Sequence, residues 1–357
     1  MKKALRLFTQ GLLILSLSLA SSLPVSAQNN NHVKMPDQFT LNPGEPGIHL
    51  PLRATIHHLN NGVTRVFDAN NVLLLTTIDA DASVVTTPAG PMKANRVYGV
   101  PNATVINHIG NTVVFEKDGQ IILRVIDDNA GAQSHKTVPS TGIWNEYAYE
   151  LDMQVDTFVA QWKCPSSPPN TSSVITHYIF NGIEPVTNSQ IIQPVLGWHD
   201  PRSDTGTNWS GAAYHAWDST CVHGEFVSVS VNDSIIGSLL STGGSNWDII
   251  FYNSSTATSS TISNRYTGIT ASSTTNWISA ALESYNGTND GNLYNADLPG
   301  KTQFTSVVAY YNSSWVSLSF QEAITPSNTQ NPNWFKFDPD NRDVTFTSTS
   351  VNLTTGN

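Results

Sequence analysis

The sequence predicts an all-β protein, in which an antiparallel β-sandwich follows a small N-terminal domain rich in β-hairpins. Short apolar runs dominated by β-branched and aromatic residues recur along most of the chain, and such residues favour strands. Clusters of Gly, Asn, Asp and Ser separate these runs at the spacing typical of a sandwich. Residues 226–231 carry valine at every second position, which is the period of a strand with two different faces. No βαβ alternation and no nucleotide-type glycine loop occurs in the sequence.

The first 27 residues have the pattern of a secretory signal peptide. A basic start with Lys2, Lys3 and Arg6 precedes a short apolar run, and the small residues Val25-Ser26-Ala27 end it. Such a segment is removed from the mature protein. No other run approaches the roughly 18 apolar residues of a membrane-spanning helix. We therefore expect a secreted, extracellular protein without a membrane span.

The remaining chain divides into three predicted parts. Residues 28–48 are rich in Asn, Pro and Gly and are interpreted as a linker. Residues 49–145 repeat a strand–turn–strand pattern and form the small all-β domain. Its strongest hairpin signal is Asp118-Gly119, because this dipeptide readily adopts the positive φ angles of a tight turn. Residues 146–357 form the sandwich.

Composition limits the classes of partner. The formal net charge is -10 and only 12% of residues are charged, so the chain would repel the phosphates of nucleic acids. The two cysteines, Cys164 and Cys221, predict one disulfide in an oxidising compartment, with two buried free thiols as the alternative. The histidines lack the spacing of metal ligands, and no nucleophile elbow is present. We expect no metal and no cofactor.

Two polar side chains stand out within predicted strands. Gln193 lies in the stretch 188–198, which is predicted as a buried strand, and burying an amide without partners costs a few kcal/mol. Either a neighbouring group or a substrate must therefore satisfy it. In the strand around residues 277–285, Trp277 and Glu283 share one face, and the other face is apolar. That first face is either the floor of a groove or a solvated surface.

Five motifs in order resemble the eqolisin type of glutamic peptidase. They are Ile191-Ile192-Gln193, Tyr214-His215-Ala216-Trp217, the strand–turn–strand 226–240, the Trp-led strand 247–256, and Trp277-Ile278 leading to Glu283. The resemblance covers about residues 190–285. One departure concerns the glutamate, which in the family follows the tryptophan by about three residues, where this chain has Ala280.

The resemblance implies a curved, concanavalin A-like (jelly-roll) sandwich and a secreted acid endopeptidase acting on polypeptides. Glu283 would activate water as general base and then protonate the leaving amine. The amide of Gln193 would stabilise the oxyanion. Tyr214, Trp217, Trp277 and Trp198 would line the substrate groove. Residues 28 to about 145 would be a propeptide or an accessory domain.

A second interpretation needs no catalysis. Curved sandwiches with aromatic and amide side chains on one face bind glycans, and Trp198, Trp209, Trp217 and Trp277 with Gln193 would serve that purpose. Glycoside hydrolysis would need a second carboxylate facing Glu283. The candidates for that carboxylate are Glu184, Glu225 and Asp218.

Overall fold

The computed structural model describes residues 38–129, 144–170, 175–185, 190–203, 208–265, 268–286, 298–324, 343–347 and 349–354. The predicted signal peptide and the linker before residue 38 lie outside the described residues. Residues 34–357 form one compact unit. Within the described ranges, no helix has both the length and the apolar character needed to cross a bilayer.

The described N-terminal part consists of short strands and one 3₁₀-helical turn, Ala94–Arg96. The strands are β1 (Phe39–Thr40), β2 (Ile48–His49), β3 (Ala54–His58), β4 (Val63–Phe67), β5 (Leu73–Ile78), β6 (Val84–Thr87), β7 (Gly90–Lys93), β8 (Val97–Gly99), β9 (Thr104–Ile109), β10 (Thr112–Lys117) and β11 (Gln120–Asp127). Asp118 and Gly119 have φ angles of 51° and 71° in the turn between β10 and β11, as the hairpin prediction requires.

The described C-terminal part contains longer strands. They are β12 (Trp144–Met153), β13 (Thr157–Lys163), β14 (Ile175–Pro185), β15 (Gln190–Trp198), β16 (Trp209–Trp217), β17 (Thr220–His223), β18 (Val227–Val229), β19 (Ser234–Gly243), β20 (Asn246–Asn253), β21 (Thr258–Arg265), β22 (Asn276–Asn286), β23 (Thr302–Tyr311), β24 (Ser314–Val316), β25 (Gln321–Ile324), β26 (Asp343–Thr347) and β27 (Ser350–Thr354). Residues 146–158 lie largely in strands, in β12 and the start of β13.

Two sheets contain most of these strands. The front sheet has the order β2-β1-β8-β17-β16-β15-β14-β22-β12-β25, with β18 beside β16. The back sheet has the order β26-β27-β23-β13-β19-β20-β21-β9-β10-β11-β3-β4-β5, with β24 beside β23. β6 and β7 form a separate hairpin. The all-β sandwich predicted from the sequence is confirmed.

The direction of pairing differs between the two parts of the chain. Strands after residue 144 pair with one another in antiparallel fashion, as predicted. Parallel pairs occur where an N-terminal strand is involved, for example β8 with β17 and β9 with β21. The segment 49–145 therefore adds strands to both sheets. Its separation as a domain or propeptide stays a prediction.

The apolar core lies between the sheets. Ile179, Ile192, Leu196, Ile278 and Leu282 of the front sheet belong to one buried cluster with Phe158, Leu239, Ile249 and Phe304 of the back sheet. Each such side chain contributes roughly 1.5–3 kcal/mol on burial. Because side chains alternate along a strand, the intervening residues of β14, β15, β16 and β22 lie on the opposite surface, here called the outer face.

The outer face of the front sheet is covered rather than open. Phe180, Val195, Ala212 and Ala281 pack there with Val85 and Met92 of the β6–β7 hairpin. This second cluster also contains Ala94 and Val97, which follow the hairpin in the chain. The covering hairpin therefore lies directly over the strands that carry the predicted site.

The predicted disulfide is wrong. Cys164 and Cys221 are both buried free thiols, which was the alternative left open. Cys164 belongs to the core between the sheets, whereas Cys221 belongs to the cluster on the outer face. The front sheet separates the two sulfur atoms, so a bond of about 2 Å between them is impossible without rearranging the strands.

Candidate active site

Gln193 lies on the outer face beneath the tip of the β6–β7 hairpin. Its side chain is fully buried, and its Nε2 donates a hydrogen bond of 2.9 Å to the carbonyl oxygen of Pro88. Its Oε1 is buried without a hydrogen-bond partner in the described part of the chain. An unpaired buried acceptor costs about 1–3 kcal/mol. The nitrogen of the amide therefore has a partner, which is a peptide carbonyl oxygen, and the oxygen of the amide has none among the described residues.

Pro194, the next residue, is unusual within a central strand because proline has no N–H to donate to the ladder. It lies opposite Ala213 of β16. The backbone groups of Ala213 are satisfied elsewhere: its N–H donates to Ser260 Oγ at 3.0 Å, and its carbonyl accepts from the N–H of Gly224 at 3.0 Å. β15 therefore continues through the proline and holds Gln193 in place.

On the β14 side of the sheet, the residues level with Gln193 are small. Between the paired positions Phe180–Val195 and Ile183–Ile192, Gly182 of β14 lies beside Gln193. Gly182 in turn pairs with Ser279 of β22. Ser279 is buried, and its Oγ also has no partner among the described residues. Two unsatisfied polar groups therefore flank a glycine on a buried surface.

Glu283 lies on the same outer face, as its alternation with Ile278 and Leu282 predicts. Ile278 and Leu282 point into the core, whereas Trp277 and Ala281 belong to the outer cluster. Glu283 pairs with Tyr178 of β14, however, and not with Gly182. It is four residues along β22 from Ser279, and two strands from Gln193. These offsets separate the Cα atoms of Gln193 and Glu283 by about 16 Å.

A buried polar cluster occupies this outer face between β14 and β16. Arg202 and Asp200 form a two-pronged ion pair, with Nη2 to Oδ2 at 2.6 Å and Nε to Oδ1 at 2.9 Å. Arg202 Nη2 also donates to the hydroxyls of Tyr178 at 3.1 Å and Tyr214 at 3.0 Å. Tyr214 lies beside Gln193, and Tyr178 lies beside Glu283. The cluster therefore connects the neighbours of both predicted catalytic residues.

The environment of Glu283 is closed. Its side chain is 1% exposed, and its Oε2 accepts a hydrogen bond of 3.4 Å from the hydroxyl of Tyr285. Burial and the nearby carboxylate of Glu283 raise the pKa of Tyr285 well above its usual value. Burial likewise raises the pKa of Tyr178 and of Tyr214. All three phenols therefore remain neutral donors at any physiological pH.

Another glutamate lies much closer to Gln193. Glu184 is two residues beyond Gly182 on β14, so alternation places it on the outer face, opposite Trp277 of β22. Gln193 and Glu184 are diagonal neighbours on adjacent strands, at a Cα separation of about 7–8 Å that long side chains can bridge. Glu184 is partly exposed. From the sequence, Glu184 is a candidate only for the second carboxylate of glycoside hydrolysis, although counting by two from Phe180 places it on this face.

Two of the predicted groove residues are on the wrong face. Tyr214 and Trp277 belong to the outer cluster, as expected. Trp198 instead packs against Trp209 in the core between the sheets, with ring centroids 5.4 Å apart. Trp217 packs against that core, because it is an odd number of residues from Tyr214. The four tryptophans expected to bind sugars therefore share no common surface.

Trp217 lines a separate cavity of about 200 Å³ with His108, Asp127 and Gln190. The rings of His108 and His215 lie 4.7 Å and 4.6 Å from its indole. Burial lowers the pKa of His108 to about 4 and that of His215 well below its usual range. Both imidazoles are therefore neutral near pH 7, which suits their packing against an aromatic ring.

The described residues contain no group of three or more His, Cys, Asp or Glu side chains arranged to bind a metal ion. The outer face offers an amide, hydroxyls and carboxylates around a peptide carbonyl. Such groups can donate a hydrogen bond to a carbonyl oxygen and can accept a proton from water.

The comparisons with known proteins show similar structures but no similar sequence. No protein-family model matches the chain, and no curated protein matches it. Scytalido-glutamic peptidase, solved with a peptide-based transition-state analogue, is 19% identical over 59% of this chain and 98% of that one, with a TM-score of 0.41. SCP-B, an eqolisin solved with the tripeptide Ala-Ile-His, is 18% identical over 59% and 98%, with a TM-score of 0.39.

A third similar structure is aspergilloglutamic peptidase from Aspergillus niger. It is 18% identical over 50% of this chain and 98% of that chain, with a TM-score of 0.33. At these identities and TM-scores the activity of those enzymes does not pass to this chain.

Proposed function

We propose that this protein is a secreted acid endopeptidase in which Gln193 stabilises the oxyanion and a glutamate of the outer face activates water. The observation that supports it best is the 2.9 Å hydrogen bond from Gln193 Nε2 to the carbonyl oxygen of Pro88. The amide already holds a peptide carbonyl in the manner that an oxyanion donor must hold its substrate. The carbonyl belongs to Pro88 in the turn between β6 and β7.

The proposed reaction is hydrolysis of a peptide bond. The glutamate carboxylate takes a proton from water while the oxygen of that water adds to the carbonyl carbon. The carbonyl oxygen becomes an oxyanion, which the N–H of Gln193 stabilises. The protonated glutamate then gives its proton to the amide nitrogen as the C–N bond breaks. The products are a carboxylic acid and an amine.

In this proposal the β6–β7 hairpin excludes substrate, since Pro88 occupies the partner position of Gln193. Val85 and Met92 anchor the hairpin on the outer face, and the hydroxyl of Tyr178 donates to the carbonyl of Thr86 at 3.3 Å. Cleavage of a foreign polypeptide therefore requires the hairpin to move away or to be removed.

The test uses the chain from residue 28 and denatured casein as the substrate, between pH 3 and 7. We expect peptide release that pepstatin does not inhibit, and a higher rate from a Val85→Ser/Met92→Ser variant, whose hairpin binds more weakly. Gln193→Ala should lower the rate of that variant by about 100-fold or more. No cleavage by either protein at any pH would refute the proposal. Saturable binding to a glycan array without proteolysis would favour the glycan-binding alternative.

A further inference from the structure

We propose that Glu184, and not Glu283, is the carboxylate that works with Gln193. This inference rests on the proposed peptidase function and assigns its general base. The juxtaposition that carries it is the register of β14, which places Gly182 beside Gln193 and Glu184 two residues further on the same face.

The first step of the argument is distance. A general base must reach a water that also lies within reach of the carbonyl held by the oxyanion donor. Diagonal neighbours on adjacent strands satisfy this condition, because glutamate and glutamine side chains each extend several ångströms from the sheet. A Cα separation of about 16 Å, as between Gln193 and Glu283, leaves room for several waters between the two groups.

The second step is access to solvent. Glu184 is partly exposed and is followed in the chain by the buried Pro185, the last residue of β14. The hairpin crosses the sheet from Tyr178, which bonds to Thr86, to Gln193, which bonds to Pro88. Along β14, Glu184 lies two residues beyond Gly182, which is level with Gln193, on the side away from Tyr178. Water and a peptide can therefore approach its side chain, whereas the side chain of Glu283 is 1% exposed.

The third step is the chemical surroundings. Trp277 lies opposite Glu184, and Tyr149 of β12 contacts that indole with ring centroids 5.8 Å apart. Ile191 is the neighbour of Glu184 on β15, and it is 6% exposed. Trp277, Tyr149 and Ile191 form an apolar and aromatic wall on this side of the outer face. The same wall offers apolar contacts to the side chains of an extended peptide.

The arrangement also explains the departure from the family pattern. Ala280 stands where the resemblance expects the glutamate, and it points into the core. Ser279, its neighbour, is the residue of β22 that faces Gln193 across Gly182. A carboxylate on the adjacent strand β14 would supply the function that β22 lacks at this level of the sheet.

The experiment compares single substitutions in the Val85→Ser/Met92→Ser background, with casein cleavage as the readout. Glu184→Gln should reduce the rate by 100-fold or more, with an unchanged circular dichroism spectrum. Glu184→Asp should restore part of the rate. Glu283→Gln and the control Glu116→Gln, which removes a partly exposed carboxylate on the back sheet, should stay within about threefold of the parent.

Two failures are distinguishable. If the parent cleaves casein and Glu184→Gln cleaves it equally fast, the assignment of Glu184 is overturned and the peptidase function stands. If Glu283→Gln abolishes cleavage in a protein with normal melting behaviour, Glu283 is the base. If the parent itself cleaves nothing, the proposed function falls, and the assignment falls with it.

Discussion

The two ends of the outer face differ in how completely their polar groups are satisfied. At the closed end, Asp200, Arg202, Tyr178 and Tyr214 bond to one another at 2.6–3.1 Å. At the open end, Gln193 Oε1 and Ser279 Oγ have no partners in the described part of the chain. The polar side chains named at both ends are buried, although Asp200 and Arg202 lie in the segment between β15 and β16. The contrast is therefore one of hydrogen bonding and not of burial.

This difference teaches which polar groups to assign to structure. The buried ion pair of Asp200 and Arg202 is held by several hydrogen bonds and fixes local geometry, and within this cluster only Arg202 Nη1 lacks a partner among the described residues. A buried acceptor without a partner carries an energetic cost that a ligand can remove. The sequence singles out Gln193 as a polar group within an apolar strand, but it gives no such signal for Asp200 or Arg202, which follow that strand. Only their partners separate a structural cluster from a candidate site.

Acid pH should produce the largest effect, because it acts on the contacts between the N-terminal segment and the sandwich. The N-terminal segment meets the sandwich through buried neutral imidazoles: His108 contacts Asn264 at 3.1 Å, and His223 contacts Gln38 at 2.7 Å. Burial lowers the pKa of His108 to about 4, and burial and then the charge of Arg202 lower that of His223 to about 3.

The sign of the pH effect follows from these directions. The unfolded chain takes up protons on its imidazoles near pH 6.5, whereas the folded chain does so only near pH 3–4. The stability that these neutral imidazoles provide is therefore complete above about pH 6.5 and is lost as the pH falls towards the folded values. For His108 alone the loss by pH 4 is about 3 kcal/mol.

One carboxyl acts in the opposite direction. Burial raises the pKa of Glu45 to about 7, against hydrogen bonds from Asn42 and Thr40 that lower it. Protonation of Glu45 between pH 7 and 4.5 raises the free energy of unfolding by about 3 kcal/mol. This gain is smaller than the loss that two or more imidazoles cause. We expect the urea midpoint to fall between pH 6.5 and 4, and limited proteolysis to cut residues 84–93 first. A midpoint that rises over this range would contradict the burial of neutral histidines.

Arg202→Met should produce the next largest effect, confined to the closed end. It leaves the carboxylate of Asp200 buried without its cation, which costs about 3–5 kcal/mol of unfolding free energy. The double variant Arg202→Met/Asp200→Asn should recover part of that loss, because no uncompensated charge remains. Urea denaturation measures both values. A cost below 1 kcal/mol for the single variant would mean that the cluster is not the structural support described above.

Much of this fold can be predicted from the sequence, because strand period and turn chemistry are local. The Asp118-Gly119 turn and the faces of β22 follow from residues a few positions apart. The register between β15 and β22 depends on β14, which lies between them and contains no motif. The sequence alone therefore cannot show that Glu283 lies four residues along β22 from the residue level with Gln193. Likewise, nothing local reveals that Cys164 and Cys221 lie on opposite sides of one sheet.

Local sequence patterns also do not predict the position of the covering hairpin. Residues 84–93 look like any short hairpin, and only the tertiary structure places Pro88 over Gln193. Faces near strand ends are also hard to assign by motif. Tyr214 and Trp217 belong to one motif, but their odd spacing sends them to opposite faces.

The smallest effects compare single hydroxyl groups at the two ends. Tyr214→Phe removes a hydroxyl that accepts from Arg202 at 3.0 Å and donates to Asp200 at 3.0 Å, so it should cost about 1.5–3 kcal/mol. Ser279→Ala removes a buried hydroxyl without a partner among the described residues, so it should be neutral or stabilising by up to about 1 kcal/mol. Thermal melting of both variants at pH 7 measures the contrast. Equal losses would show that the open end is as well satisfied as the closed one, and the argument for a ligand at Gln193 would lose its energetic basis.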